Sequence, residues 1–182
     1  MRRHAVSLVC CVLAVFFFAS SGFAFAAAPK AGGKAWPRPV PLKSEEPAHG
    51  FNLATVEGGR AALEDYAGKK IILFFFTTWC PYCVAKFPVL EREKAKFEEQ
   101  GIVLLVINVG ESQAKVASFR EKRNIGFNIL LDESMSTAQN YQVIGVPTFF
   151  LVGTNGVVIY DGNDLPWNYP EIFSKEKLYS KE

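Results

Sequence analysis

The sequence predicts an α/β fold in which a mixed central sheet is flanked by helices on both faces and preceded by an N-terminal extension. Three observations lead there. After Lys70 the chain runs Ile71-Ile72-Leu73-Phe74-Phe75-Phe76, apolar at every position, which fits a central strand covered on both sides. Strand-like and helix-like stretches alternate around it, the pattern of a sheet whose connections pack on its faces. Toward the C-terminus two apolar runs, 148–152 and 157–160, flank Thr154-Asn155-Gly156, and Asn-Gly between apolar runs is a strong hairpin signal. With 182 residues the chain has room for one ordinary core plus appendages rather than two domains.

The extension comes first. Arg2 and Arg3 open it, 5–18 is apolar apart from Ser7, and small residues lead through Ala24-Phe25-Ala26 to Ala28. A basic start, an apolar middle and a small-residue exit read as a signal peptide over 1–26, cleaved before Ala27. An uncleaved membrane anchor competes, since about 20 apolar residues span a bilayer. Either way the remainder is expected outside the cytoplasm, in the periplasm or at the extracytoplasmic face of the membrane. Residues 27–49 hold Pro29, Gly32, Gly33, Pro37, Pro39, Pro41 and Pro47 and read as a linker; the folded domain is expected over 50–182. Once Arg2 and Arg3 are set aside, the 20 basic residues fall to the number of the acidic ones, 18. A balanced charge gives no electrostatic reason to expect a nucleic-acid partner.

Within the domain, 51–56 reads as a short strand, Gly58-Gly59 as a turn, and 62–66 as a helical turn closed by Gly68. Beyond the apolar strand, 81–100 reads as one helix with Val84, Phe87, Leu90 and Phe97 along a face. Gly101 would stop it and Pro88 would kink it. Next, 103–108 is a second buried strand. Ser112 is expected to cap a helix to about Arg123, 129–131 to form a short strand, and Ser134 to cap a helix to about Tyr141. A last helix is expected over 170–179 with Pro170 in its first turn.

Chemistry concentrates in the cysteines. Cys10 and Cys11 fall in the extension, so the domain keeps only Cys80 and Cys83. A domain stapled for stability would show several widely spaced pairs; one tight pair points to reactivity. Trp79-Cys80-Pro81-Tyr82-Cys83 ends the apolar strand and opens the helix, where free N–H groups and the positive end of the helix dipole favour a thiolate. Cys80 is therefore expected below the ordinary cysteine value of about 8.5 and to be the nucleophile, which requires its sulfur to be accessible. Cys83, one turn further in, is the expected resolving thiol, buried and less reactive. Pro81 limits the conformations between them, and Trp79 would flank the sulfur as contact surface. Three plainer readings compete: a structural disulfide, whose small loop gives little stabilisation; half a zinc site, for which the mature chain offers only His49 besides; and chance spacing, against which the position at a strand-to-helix junction argues. No metal and no organic cofactor is expected beyond a redox-active Cys80–Cys83 disulfide.

The order of these pieces resembles the thioredoxin superfamily, and within it the exported TlpA/ResA-like thiol-disulfide oxidoreductases. The matching residues are Phe51-x-Leu53 with Gly59, Gly68-Lys69, the strand into Trp79-Cys80-Pro81-Tyr82-Cys83, Pro88, Val106-Ile107-Asn108-Val109 and Gly145-Val146-Pro147-Thr148. The resemblance implies a thioredoxin fold and disulfide exchange with client proteins through Cys80 and Cys83. It implies a cis bond at Val146-Pro147 facing the cysteines, with Trp79, Pro81, Tyr82, Val146 and Pro147 as substrate-binding residues. It also implies a reductase fed by a membrane electron donor of the DsbD/CcdA type, in cytochrome c maturation or metal insertion. The Pro81-Tyr82 pair, typical of glutaredoxins, points to an intermediate potential.

Two positions depart from the family pattern. Phe74 stands where thioredoxins carry a buried Asp, and Lys86 where the TlpA/ResA group often carries a Glu. Lys86 is either a solvated helix residue or a cation that lowers the thiol pKa values. Two other classes stay open. A thiol peroxidase of the peroxiredoxin type, with antioxidant activity, would use Thr77, three residues before Cys80, and an assisting Arg, of which the nearest downstream is Arg92. A non-catalytic binding or chaperone module would use the same surface for docking.

Overall fold

The computed structural model describes residues 46–175. Seven strands, β1 Asn52–Thr55, β2 Arg60–Ala62, β3 Lys70–Phe76, β4 Ile102–Val109, β5 Ile129–Asp132, β6 Thr148–Val152 and β7 Val158–Gly162, form one sheet in the order β2-β1-β5-β4-β3-β6-β7. β3, β4 and β5 are parallel, while β1 and β2 on one side and β6 and β7 on the other are antiparallel additions. Among the described residues there are five α-helices: α1 Pro81–Val84, α2 Phe87–Glu99, α3 Gln113–Lys122, α4 Ser136–Asn140 and α5 Tyr169–Ser174.

The apolar strand explains both layers. Alternate side chains of a strand leave on opposite faces, so Ile72, Phe74 and Phe76 of β3 pack with Phe87, Leu90 and Phe97 of α2 and Phe173 of α5. Ile71, Leu73 and Phe75 pack on the other side with Ala138 of α4 and Tyr141. Both faces of β3 are covered, and the run needs no polar position. The hairpin joining β6 and β7 turns at Gly156, whose φ of 77° suits glycine, and Asn155 Oδ1 accepts the Val157 N–H at 3.1 Å.

Several local expectations are corrected. β2 was not anticipated, and the helical turn after it is a 3-10 turn over Leu63–Tyr66. The helix expected over 81–100 is two helices, separated at Ala85 and Lys86. Pro88 cannot donate to a carbonyl one turn back and its ring crowds it, so the chain restarts with Pro88 in the first turn of α2. Ser112 precedes α3 and makes no side-chain cap bond; the Gln113 N–H goes to Glu133 Oε1 at 2.9 Å. Met135, with φ 62°, holds the position before α4, and the Ser134 hydroxyl accepts only the first N–H of the helix, that of Ser136, at 3.4 Å. Asp132 accepts the next two, from Thr137 and Ala138, at 3.2 and 2.8 Å. α5 ends at Ser174, before the expected stop at Tyr179.

The end of the expected linker joins the sheet edge: the Val158 N–H donates to Glu46 O at 3.1 Å and the Ala48 N–H to Gly156 O at 2.8 Å. The expected signal peptide or anchor over 1–26 and the linker up to 45 lie outside the described residues, as does 176–182. Among the described residues no helix is long and apolar enough to cross a membrane.

Candidate functional site: a buried dithiol facing a cis-proline

β3 and β6 are neighbours, with Phe75 opposite Thr148. The end of β3 therefore lies beside the start of β6, bringing the Trp79–Cys83 segment up against Val146 and Pro147. Cys80 is the residue before α1, in extended conformation at φ −81° and ψ 111°. Its Sγ accepts the Cys83 N–H at 3.3 Å and donates to the Val146 carbonyl at 3.5 Å. The Val146–Pro147 bond is cis. The loop around it is held by the Thr148 hydroxyl, which donates to Gly145 O at 2.6 Å, and by the Asn163 amide, which donates to Pro147 O at 3.0 Å.

The flanking side chains divide sharply. Trp79 and Tyr82 are 68% and 75% exposed and Trp167 is 84% exposed, while Cys83 and Pro147 are buried. Cys80 is only 4% exposed, so the accessible sulfur expected from the sequence is not what the structure presents. Both cysteines are free thiols. Burial pushes the Cys83 thiol up to about 12, helped by its hydrogen bond with Cys80, and the Thr77 backbone pulls weakly the other way. A thiol so raised keeps its proton at neutral pH.

The two departures have structural accounts. Phe74 is wholly buried, stacked on Phe149 at 4.5 Å between ring centroids and edge-on to Phe87 at 5.6 Å. Its place is an aromatic core with no carboxylate in it. The Lys86 ammonium is held by Asp164 at 2.6 Å, and Lys86 is not among the groups that move Cys83.

Sequence reasoning missed a polar cluster behind the dithiol. Glu111 is buried; Oε2 accepts the Thr78 N–H at 2.6 Å and the Asn108 amide at 2.7 Å, and Oε1 accepts the Thr78 hydroxyl at 2.7 Å. Lys115 Nζ reaches Oε1 at 2.7 Å. Burial works to raise this carboxyl, but the donors from Asn108, Lys115 and Thr78 outweigh it and hold it below the ordinary range. Asn108, a lone amide in an apolar strand, was the available signal. Among the described residues no cluster of three His, Cys, Asp or Glu is placed to hold a metal.

A mixed sheet with an inserted parallel core, a Cys-Pro-Tyr-Cys head on the first helix and a cis-proline opposite it define a thioredoxin-fold protein. Solved structures agree. A Chlorobium tepidum protein described as thiol:disulfide interchange protein DsbE superposes with TM-score 0.64 at 26% identity, covering 75% of this chain and 96% of its own. StoA of Bacillus subtilis, at TM-score 0.60 and 24% identity over 72% and 99% of the two chains, shows the same fold.

Residues 45–161 match the AhpC/TSA family, and the chain belongs to it. It is 34% identical over 112 residues to the thiol-disulfide oxidoreductase ResA of Bacillus subtilis (strain 168), covering 62% of this chain and 63% of the relative. It is 35% identical over 108 residues to ResA of Geobacillus thermodenitrificans (strain NG80-2), covering 59% and 62%. The matches thus span somewhat under two thirds of the length of these curated relatives.

Proposed function

We propose that this protein is a thiol-disulfide oxidoreductase that reduces disulfides in client proteins outside the cytoplasm. The observation that carries the reading is Cys80 Sγ at the head of α1, bonded to the Cys83 N–H and set against the carbonyl before the cis-proline. Likeness to ResA supports it.

The steps balance as follows. Cys80, as thiolate, attacks one sulfur of a client disulfide; the S–S bond breaks, a mixed disulfide forms and the client releases a thiolate that takes up a proton. Cys83 then loses its proton and attacks Cys80 Sγ, freeing the second client thiol and closing the Cys80–Cys83 disulfide. Two electrons pass from dithiol to client, and a membrane donor of the DsbD/CcdA type restores the dithiol. Trp79, Pro81, Tyr82, Val146 and Pro147 form the docking surface. A Cys83 thiolate that burial disfavours gives the reduced form little extra stability, which supports the reducing end of the scale. Residues 1–26 act as the export signal or as an anchor, 27–49 as the linker and 50–182 as the redox domain. Cytochrome c maturation is the proposed setting.

Burial of Cys80 sets a condition: its contact with the Val146 carbonyl must open as a client docks. The deciding measurement is alkylation of Cys80 by iodoacetamide at neutral pH, expected to run faster than for a model thiol; a slower reaction overturns the reading. Cys83→Ser is expected to accumulate mixed disulfides with clients, and Cys80→Ser to form none. A potential below about −200 mV in glutathione buffers supports the reducing direction, and one near −120 mV overturns it. Peroxide consumption that survives Cys83→Ser but not Cys80→Ser would move the assignment to a peroxidase.

A further inference from the structure

We infer that Glu111 is a positioning residue for the dithiol, acting through Thr78 and Thr77 to hold the backbone that anchors Cys80 and, through it, Cys83. This rests on the exchange reading above. Glu111 touches neither sulfur; it lies just beyond the end of β4, 33 residues from the Thr78 it holds.

Burying a carboxylate is costly unless its lone pairs are met. Here four contacts meet them, and two come from one residue: Thr78 gives Glu111 both its N–H and its hydroxyl. That grip fixes Thr78, and with it the segment between the end of β3 and Cys80. Thr77, next in line, accepts the Cys80 N–H at 3.4 Å, and Cys80 Sγ in turn accepts the Cys83 N–H at 3.3 Å, so both cysteines hang on this anchor; the Thr77 backbone also works to lower the Cys83 thiol. One side chain thus sets the position of the backbone behind both sulfurs. Asn108 Nδ2 and Lys115 Nζ complete the cradle.

The chemistry of the cradle makes the point testable. The Thr78 hydroxyl accepts as well as donates, so a glutamine can turn its NH2 to that hydroxyl and keep both arms of the Thr78 grip, losing only the Lys115 contact. Alanine removes both arms and the 77–78 backbone loosens. With a weaker backbone bond, Cys83 holds its proton more tightly. A pKa one unit higher cuts the thiolate tenfold while nucleophilicity recovers part of it, so the second step slows about threefold at constant pH. The first step, made by Cys80, changes little.

The experiment uses the full chain and a peptide carrying a single disulfide, following formation and release of the mixed disulfide between about pH 7 and 10. Glu111→Ala is expected to slow release at least threefold and move its pH profile upward, with formation within twofold of the wild type, while Glu111→Gln, which keeps the Thr78 grip, stays close to the wild type. Thr78→Val, which keeps the N–H bond but loses the hydroxyl bond, is expected to move the profile less than Glu111→Ala and in the same direction. Lys115→Ala removes a partner of Glu111 without touching Thr78 and is expected to leave the profile in place. A Glu111→Ala profile that superimposes on the wild type overturns the proposal even if the melting temperature falls. So does a Lys115→Ala shift of equal size, because that would make the effect one of charge. If Glu111→Ala fails to fold, an unmoved profile in folded Thr78→Val overturns it. Should the wild type form no mixed disulfide, the exchange reading fails by itself. Titration of the Cys83 thiolate by ultraviolet absorbance in Cys80→Ser, with and without Glu111→Ala, then decides the role of Glu111.

Discussion

Phe74 shows how one residue decides between cohesion and chemistry. At a position where a thioredoxin-type carboxylate would assist the second cysteine, this chain buries a ring among Phe76, Phe87 and Phe149. Phe74→Ala is expected to cost about 3–5 kcal/mol in urea unfolding, the range for truncating a buried ring. A loss below about 1 kcal/mol would mean that the ring stack is not part of the cohesive core. The candidate site was legible in the sequence because its parts sit in short contiguous strings: Cys80 to Cys83 at a strand-to-helix junction, and Val146-Pro147 before a strand. Glu111 was not legible, since its meaning depends on Thr78 and nothing adjacent to it separates a buried carboxylate from a solvated one such as Glu57. The exposure of Cys80 was misjudged for a related reason, because the covering group belongs to the loop at Val146 rather than to its own segment.

At the scale of elements, what was legible is what a local pattern encodes. β3 is a continuous apolar run long enough to need cover on both faces, and the β6–β7 hairpin is written in Asn155-Gly156. What escaped is what distant groups supply. β2 has three residues and no periodicity of its own; it exists because β1 offers it a ladder. The helix starts were assigned to nearby serines, yet the first N–H of α3 is met by Glu133, and Ser134 takes one N–H of α4 where Asp132 takes two. The contrast at α4 is measurable. Asp132 is wholly buried, so Asp132→Ala leaves two N–H groups without their acceptor and is expected to cost about 1–2 kcal/mol. Ser134→Ala, on the exposed side of the same turn, is expected to stay within about 0.5 kcal/mol. Equal losses in the two variants would return the capping role to the serine.

On the scale of the whole molecule, the sheet places one protonated thiol in its interior, and this ties stability to pH and redox state together. Folding raises the Cys83 pKa from 9.0 to about 12, chiefly by burial. Below the lower value both folded and unfolded chains hold this proton, and the full contribution to stability is present. As pH climbs above it, the unfolded chain gives up the proton while the folded chain retains it, so unfolding is favoured and stability is lost progressively up to the higher value. Tyr141, Tyr160 and Tyr169, all raised by burial, add the same trend, but they do so in both redox forms. The difference between the forms therefore isolates the thiols. Urea unfolding of the reduced and disulfide-bonded protein is expected to give curves whose separation grows as pH rises past about 9, with the reduced form losing ground. Curves that stay parallel across that range would mean that Cys83 is not held protonated by the fold, and the slow, proton-retaining second thiol would have to be abandoned with it.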